Sequence, residues 1–370
     1  MEDHSEIFVA LDVAKLKNAV AIAEAGRSGE VRYFGEIENT LEATRRLIGK
    51  LSKSYRKLTF CYEAGPTGYG LHHWITGLGH DCIVVAPSLI PAKPGDHVKT
   101  NRRDALNLAK LLRAGELTAV WVPDEKHEAM RDLVRARDAA ANDLRGKRQQ
   151  VTSFLLRHGR SYPRKKTWGP THARWLMEQK FEHLPQRIAF EESVLVARQA
   201  KERIQRIEAA IIEFVPSWSL APLVTALQAM RGINLIAAAI FLAEIGDLRR
   251  FDSPRLLMGY LGLVPSERST GDTVRRGAIT KAGNGRARKM MVESAWSYRY
   301  PPRISAKKRF QVERAPRVAR EIAWKAQTRL SARTRALTAK GKKSTVVVTA
   351  VARELAGFLW AIGQEVAPMP

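Results

Sequence analysis

The chain has 370 residues, with 62 Lys and Arg against 37 Asp and Glu and a formal net charge of +25. That length holds two or three domains around a sizeable core. A charge excess of this size points to a polyanionic partner, nucleic acid first, because neutralising phosphates releases counterions and the field steers association. No apolar run reads as long enough to span a membrane and no N-terminal signal pattern stands out, so the expectation is a soluble, cytoplasmic protein that does not bind membranes. The only cysteines, Cys61 and Cys82, lie inside apolar runs, which predicts buried, reduced thiols and argues against a disulfide framework or metal knuckle.

In chain order, residues 7–12 form a short apolar run ending in Asp12, and 17–24 and 31–37 read as two further strands of a meander. An amphipathic helix follows from about Thr40 to Leu51, then a buried strand from Leu58 to Glu63 that also ends in an acid. A turn at 64–68 feeds a helix through Leu78, Cys82–Ala86 is one more strand, and a helical stripe through Leu108, Leu111 and Leu112 carries Asp104 in its first turn. Three strands, helix, strand, helix, strand, helix is the order of a mixed α/β domain. Acids at strand ends project into the crevice where such folds bind ligands. Asp12, Glu63 and Asp104 are therefore candidates to converge on a divalent cation of the Mg²⁺ type; each alone reads equally as a surface cap or ion-pair partner.

Between about 125 and 215 the pattern becomes helical. Apolar residues recur from Met130 to Leu155 and again from Val194 to Val215, suggesting two long helices that form an antiparallel arm or coiled-coil dimerisation element, or else pack onto the protein's own core. The linker at 159–170 sets Arg160, Arg164, Lys165 and Lys166 beside Tyr162 and Trp168, either a solvated loop or a surface that holds nucleic acid by charge and stacking.

After Pro216 the chain turns apolar. Arg231-Gly-Ile-Asn234 before a dense hydrophobic helix resembles a helix-hairpin-helix, in which helix N-terminal amides grip phosphate. The stretch from Gly262 to Asn284 places Ser269 and Thr270 directly before Gly271, with Arg275, Arg276 and Lys281 following and Arg286, Arg288 and Lys289 beyond. Hydroxyls and cations among glycines suit close approach to a phosphate; a solvated hairpin is the plainer reading. From about Ala315 a basic helical tail reads as contact with a nucleic-acid backbone, and the last helix, about Thr345 to Ile362, as core.

Asp12 in Leu-Asp-Val-Ala-Lys, Glu63 in Tyr-Glu-Ala-Gly and Asp104 in Lys-Thr-Asn-Arg-Arg-Asp-Ala resemble the RuvC-like, RNase H-fold domain of the DEDD insertion-sequence transposases. These form the one-ten family, whose recombinases act with a bridge RNA. Met230-Arg-Gly-Ile-Asn, Tyr260-Leu-Gly-Leu-Val-Pro265, Ser269-Thr-Gly and Gly277-Ala-Ile-Thr-Lys-Ala-Gly-Asn284 are similar to that family's C-terminal domain. The resemblance implies an α/β plus α architecture: a RuvC-like domain over 1–122, a helical coiled-coil arm over 123–215, a transposase domain over 216–300 and a basic tail over 301–370.

It further implies a DNA recombinase in the bacterial cytoplasm, associated with the nucleoid. Its partners would be the element ends and target DNA, a structured guide RNA, and further copies of itself as a dimer or tetramer. Mg²⁺, with Mn²⁺ as substitute, would be held by Asp12, Glu63 and Asp104. Asn101 stands where the family pattern has an acid; its carbonyl can still ligate, with one negative charge fewer. The catalytic hydroxyl falls on Ser269 or Thr270: position next to Gly271 favours Thr270, and the less hindered primary alcohol favours Ser269, the choice made here. Arg102 and Arg103 join the cations assigned to nucleic acid. No histidine lies near Ser269 in sequence, so a composite site is expected, in which the first domain's metal activates the second domain's hydroxyl. Two other readings are a hydrolytic RuvC-like nuclease or junction resolvase, and a non-catalytic nucleic-acid-binding scaffold.

Overall fold

The computed structural model describes residues 6–91, 100–270 and 273–369, in two compact units, Met1–Val122 and Pro123–Pro370. Lys99 and Gly271, both part of the stretches quoted above, lie outside the described residues.

The first unit runs β1 (Glu6–Val13), β2 (Lys17–Glu24), β3 (Val31–Glu38), α1 (Leu41–Leu51), β4 (Lys57–Glu63), α2 (Gly70–Gly77), β5 (Asp81–Val85) and α3 (Asn101–Ala114). The strands form one sheet in the order β3-β2-β1-β4-β5, antiparallel across β3, β2 and β1 and parallel across β1, β4 and β5. This mixed sheet is consistent with the RNase H-like fold that the sequence resemblance implies.

Strand alternation divides the side chains cleanly. Ile7, Val9, Leu11, Leu58, Phe60 and Tyr62 bury one face together with α1 and α2. The other face presents Ala10, Ala19, Ala21, Ala23 and Cys61 to Ala105, Leu108, Ala109 and Leu112 of α3. Small residues on both sides let that helix lie close to the sheet. Thr40 and Thr100 cap α1 and α3 through their side-chain oxygens, and Gly115, at φ 69°, ends α3 in the left-handed conformation. Cys61 and Cys82 are free and buried, and burial pushes the Cys82 thiol up to about 12.

The second unit is mainly helical. It holds α4 (Glu125–Arg157), α5 (Pro170–Met177), α6 (Leu184–Phe214), α7 (Ala221–Leu227), α8 (Leu235–Ile245) and α9 (Pro254–Tyr260), then a hairpin of β6 (Pro265–Thr270) and β7 (Thr273–Ile279). α10 (Gly285–Ala295), α11 (Ala306–Arg314), α12 (Arg317–Ala339) and α13 (Ser344–Glu365) follow. One large core joins α7 to α10 with α12, α13 and the near ends of α4 and α6.

The helix pair packs onto the protein's own core at one end and onto itself further along. Met130 and Val134 pack with Ile211 and Val215 in the main core, whereas Ala140 and Leu144 meet Ala200 and Ile204 in a cluster of their own. Further along, Val151 and Leu155 meet Phe190 and Ala197 beside Leu176 of α5 and Phe181. α4 and α6 are therefore antiparallel, anchored at one end and self-packed at the other.

One expectation is corrected here. α13 is long and apolar enough to cross a membrane by length and composition, contrary to the sequence reading. Its Val347, Val351, Leu355, Leu359 and Ile362 are buried in the unit's core, which accounts for the hydrophobicity without a bilayer.

Candidate nucleic-acid-processing site

The carboxylates of the first unit share an edge because of strand register. β1 and β4 are parallel, with Leu11 beside Tyr62, so Asp12 and Glu63 are the next residues along neighbouring strands. Both follow by alternation from the α3 face, where Ala10 and Cys61 point. Arg113 in the last turn of α3 donates to the carbonyl oxygens of Glu24 (3.3 Å) and Gly29 (2.6 Å), and Glu24 pairs with Ile7 at the start of β1. α3 thus runs against β1, which brings its first turn, with Asn101 and Asp104, toward the strand end that carries Asp12. Asn101 and Asp104 precede Ala105 and Leu108 at helical spacing on the face that meets the sheet.

Among the described residues, no three Asp, Glu, His or Cys side chains are gathered into a ready metal site. Asp12 and Glu63 share a sheet face and edge, and among the described residues they do not close with Asp104 into a three-ligand cage. The donors on offer are carboxylates and an amide carbonyl, the hard oxygens that a Mg²⁺-sized cation takes, and such a cation needs only one or two carboxylates when substrate and water complete its shell. The residues fit that ion in kind. Arg103 is exposed, with its amide engaged in the Thr100 cap, and the Arg102 guanidinium lies 5.2 Å from the Tyr33 ring centroid.

The hydroxyls of the second unit sit on an exposed hairpin. Pairing of Glu267 with Arg276, Arg268 with Arg275, Ser269 with Val274 and Thr270 with Thr273 separates its two faces. On one face Ser269 Oγ donates to Glu267 Oε1 at 2.8 Å, and Arg276 Nε donates to Glu267 Oε2 at 3.2 Å. Those hydrogen bonds, from Ser269 first and then Arg276, hold the Glu267 carboxyl below the usual range, so it stays an anionic acceptor. On the other face Thr270 shares the surface with Arg268 and Arg275, two like charges directly opposed across the ladder. That juxtaposition is unfavourable unless an anion lies over it. The hairpin therefore offers a serine oriented by a carboxylate on one side and two opposed guanidinium groups on the other. Glu267 was not among the sequence candidates; its place two residues before Ser269, on the same strand face, was the available signal.

Backbone contacts fix the hairpin's base. Gly283 (φ 67°) and Gly262 (φ 61°) both adopt left-handed conformations, and a Cβ at either would meet backbone at 2.0 Å (Tyr260 O) or 2.2 Å (Ala282 O). Arg288 Nη1 donates to the carbonyls of Leu261 (2.9 Å) and Ala282 (3.0 Å). Asn284 caps α10 through Oδ1, while its Nδ2 donates to Glu244 Oε2 at 2.7 Å. Glu244, with 1 % of its side chain exposed, also takes a two-pronged bond from Arg135 of α4 (2.9 and 3.1 Å).

The cations assigned to nucleic acid are not equivalent. Arg275 is exposed on the open face, and Lys281, at φ 55°, ends the hairpin. Arg276 is paired with Glu267, Arg286 and Lys289 both with Asp138 of α4 (3.6 and 3.0 Å), and Arg288 with backbone. Arg231, in the segment read as a helix-hairpin-helix, donates to the carbonyls of Tyr300 and Pro301, and Gly232 packs on Ser294. In the linker, Arg160 stacks over Phe181 (4.1 Å), and Tyr162 packs on His172 and Trp175.

Two family models match the chain. Residues 9–159 match the DEDD transposase family of IS110 elements, and residues 224–309 match the family described as Transposase IS116/IS110/IS902 family. A Sinorhizobium fredii protein named "Putative transposase y4qE" is 62 % identical over 98 % of this chain and 90 % of its own length. The transposase for insertion sequence element IS1533 of Leptospira borgpetersenii is 29 % identical, over 91 % of this chain and 98 % of its own. The transposase for IS1328 of Yersinia enterocolitica is 27 % identical over 64 % and 71 %. With a relative of that identity along nearly its whole length, the chain belongs to the IS110 family of insertion-sequence transposases.

Proposed function

We propose that this chain cuts and rejoins the DNA of an insertion sequence by transesterification through Ser269, guided by a structured non-coding RNA. The observation that carries the reading is the 2.8 Å hydrogen bond from Ser269 Oγ to Glu267 at the exposed end of the hairpin. A hydroxyl whose proton already points at a carboxylate has its oxygen lone pairs free for phosphorus. Thr270 is the alternative nucleophile, but it sits on the Arg268–Arg275 face, away from the Glu267 carboxylate.

In this reaction the Ser269 oxygen forms a bond to phosphorus while one P–O bond of the DNA backbone breaks. The serine proton passes by way of Glu267 or water to the departing DNA oxygen. One phosphate ester replaces another, so bond energy is kept for rejoining elsewhere. Arg276, on the face of Ser269, keeps Glu267 ionised, while Arg268 and Arg275 on the opposite face, with Lys281, bind neighbouring phosphates of the DNA backbone. Asp12 and Glu63, with Asp104 and Asn101 beside them, are the residues that would hold Mg²⁺ or Mn²⁺, which when bound neutralises phosphate charge and favours loss of a hydroxyl proton. The net charge of +25 supports two polyanionic partners, DNA and RNA. The paired helices α4 and α6 are the element we assign to self-association into a dimer or tetramer.

The test is to trap the protein on a nicked suicide substrate that carries an element end and to map any protein–DNA adduct. An adduct at Ser269, absent from Ser269→Ala, is expected. Metal-dependent cleavage with no adduct in any variant would instead establish the hydrolytic nuclease reading.

A further inference from the structure

Away from the hairpin, the self-packed end of the helix pair contains a cavity of about 500 Å³, lined by Trp168, His172, Leu176, Phe190 and Val194, with Arg148 at one side. That volume lies within the range of small-ligand pockets. Two polar groups there lack partners. His172 is 5 % exposed and its Nδ1 makes no hydrogen bond, and neither does the buried Nε of Arg148. Buried donors and acceptors are normally satisfied, so two unsatisfied groups on residues that line one cavity mark this region as a candidate site.

The aromatic and charged groups define that ligand. The Arg148 guanidinium lies 5.0 Å from the Trp168 ring centroid, forming a flat cationic and aromatic wall. Trp168 holds a φ of 61°, a conformation that a non-glycine residue keeps only when its surroundings impose it. Arg198 and Lys201, both exposed, reach the rim from α6, against one carboxylate, Glu191. An apolar slot for a planar ring, a histidine and an arginine in its wall and exposed cations beside it suit a base joined to a phosphate.

We propose that this cavity receives a single unpaired nucleotide, its base in the apolar slot with polar edges on His172 and Arg148, and its phosphate at Arg198 and Lys201. Stacking of this kind tolerates any base, because every base has a π face. The site would hold a single-stranded segment on the helical arm, away from the Ser269 hairpin; it rests on the reading of the protein as a nucleic-acid enzyme, but not on the choice of nucleophile.

The full chain is irradiated with iodouracil-substituted single strands, one deoxy and one ribo, and the crosslinked peptides are identified. Adducts within 148–201, on Trp168, His172 or Phe190, are expected from at least one of the two sugars. Val194→Trp, which fills the slot, and Arg198→Glu with Lys201→Glu, which changes only exposed positions, should each weaken single-strand binding about tenfold or more. Duplex binding should stay unchanged. No crosslink in this segment with either sugar, or unaltered single-strand binding by the rim variant, overturns the proposal. A Ser269 adduct on the suicide substrate is read separately, so loss of that adduct with pocket crosslinks intact would sink the proposed chemistry and leave this site standing.

Discussion

Replacing Glu244 with Ala should be the most damaging single change near the hairpin. The side chain is 1 % exposed, accepts two hydrogen bonds from Arg135 and one from Asn284, and joins α8 to both α4 and the cap of α10. Hydrogen bonds to charged groups contribute roughly 1.5–3 kcal/mol each, but 43 % of the Arg135 side chain is exposed, so water restores much of its loss. Asn284 Nδ2 is left with a long contact to the Glu244 main-chain oxygen at 3.5 Å. The expected cost is about 3 kcal/mol, a fall of roughly 6–12 °C in Tm for a unit of this size. Thermal unfolding followed by circular dichroism reads it directly, and Glu244→Gln, which retains shape and the Asn284 contact, should lose about half as much. Burial alone would raise this carboxyl's pKa, yet the bonds from Arg135 and Asn284 outweigh burial and lower it. Its contribution is therefore full above the ordinary carboxylate range and disappears as pH falls through the depressed folded value. A loss below about 1 kcal/mol in Glu244→Ala would show that the network does not anchor the hairpin.

Further outcomes follow from the same structure. His127 is buried against Trp218, with Nε2 2.9 Å from the Ala243 carbonyl, and burial brings its pKa down to about 4. The unfolded chain takes up that proton near pH 6.5, so denaturant unfolding should show stability falling from about pH 6.5 toward 4, with a shallower slope in His127→Gln. Gly283→Ala forces a Cβ to within 2.0 Å of the Tyr260 carbonyl at a left-handed position, and should cost at least about 1–2 kcal/mol in the same unfolding assay. Removing Arg275 and Lys281 together should lower the slope of log affinity against log salt by about 2, measured by DNA titration. Arg286→Ala removes a guanidinium that shares the Asp138 carboxylate with Lys289, and should lower that slope by less than about 1.

Much of the first unit was legible because its strands are apolar runs closed by acids. The expected order of three strands, helix, strand, helix, strand, helix is the observed one, and Asp12 and Glu63 sit side by side because they end neighbouring parallel strands. The second unit was less legible, since its decisive contacts are distant in sequence. Lys289 reads as a free DNA-binding cation until Asp138, 151 residues away, is found against it. Glu244 looks like a misplaced charge in an apolar helix until Arg135 and Asn284 are brought to it by folding. Glu267 was within reach: once 265–270 is a strand, period-two alternation puts it on the face of Ser269. In the aromatic linker, Tyr162 and Arg160 are consumed in packing and Trp168 walls a cavity, contacts made with residues of α5, α6 and Phe181 that spacing within the linker does not reveal.

The most direct measurement is peptide mapping of protein trapped on suicide DNA, comparing the unaltered chain with Ser269→Ala, Thr270→Ala, the double variant and Asp12→Ala. The account predicts a phosphoserine-linked peptide at Ser269 that survives Thr270→Ala and is lost in Ser269→Ala and Asp12→Ala. A covalent adduct that persists in the double variant would contradict it.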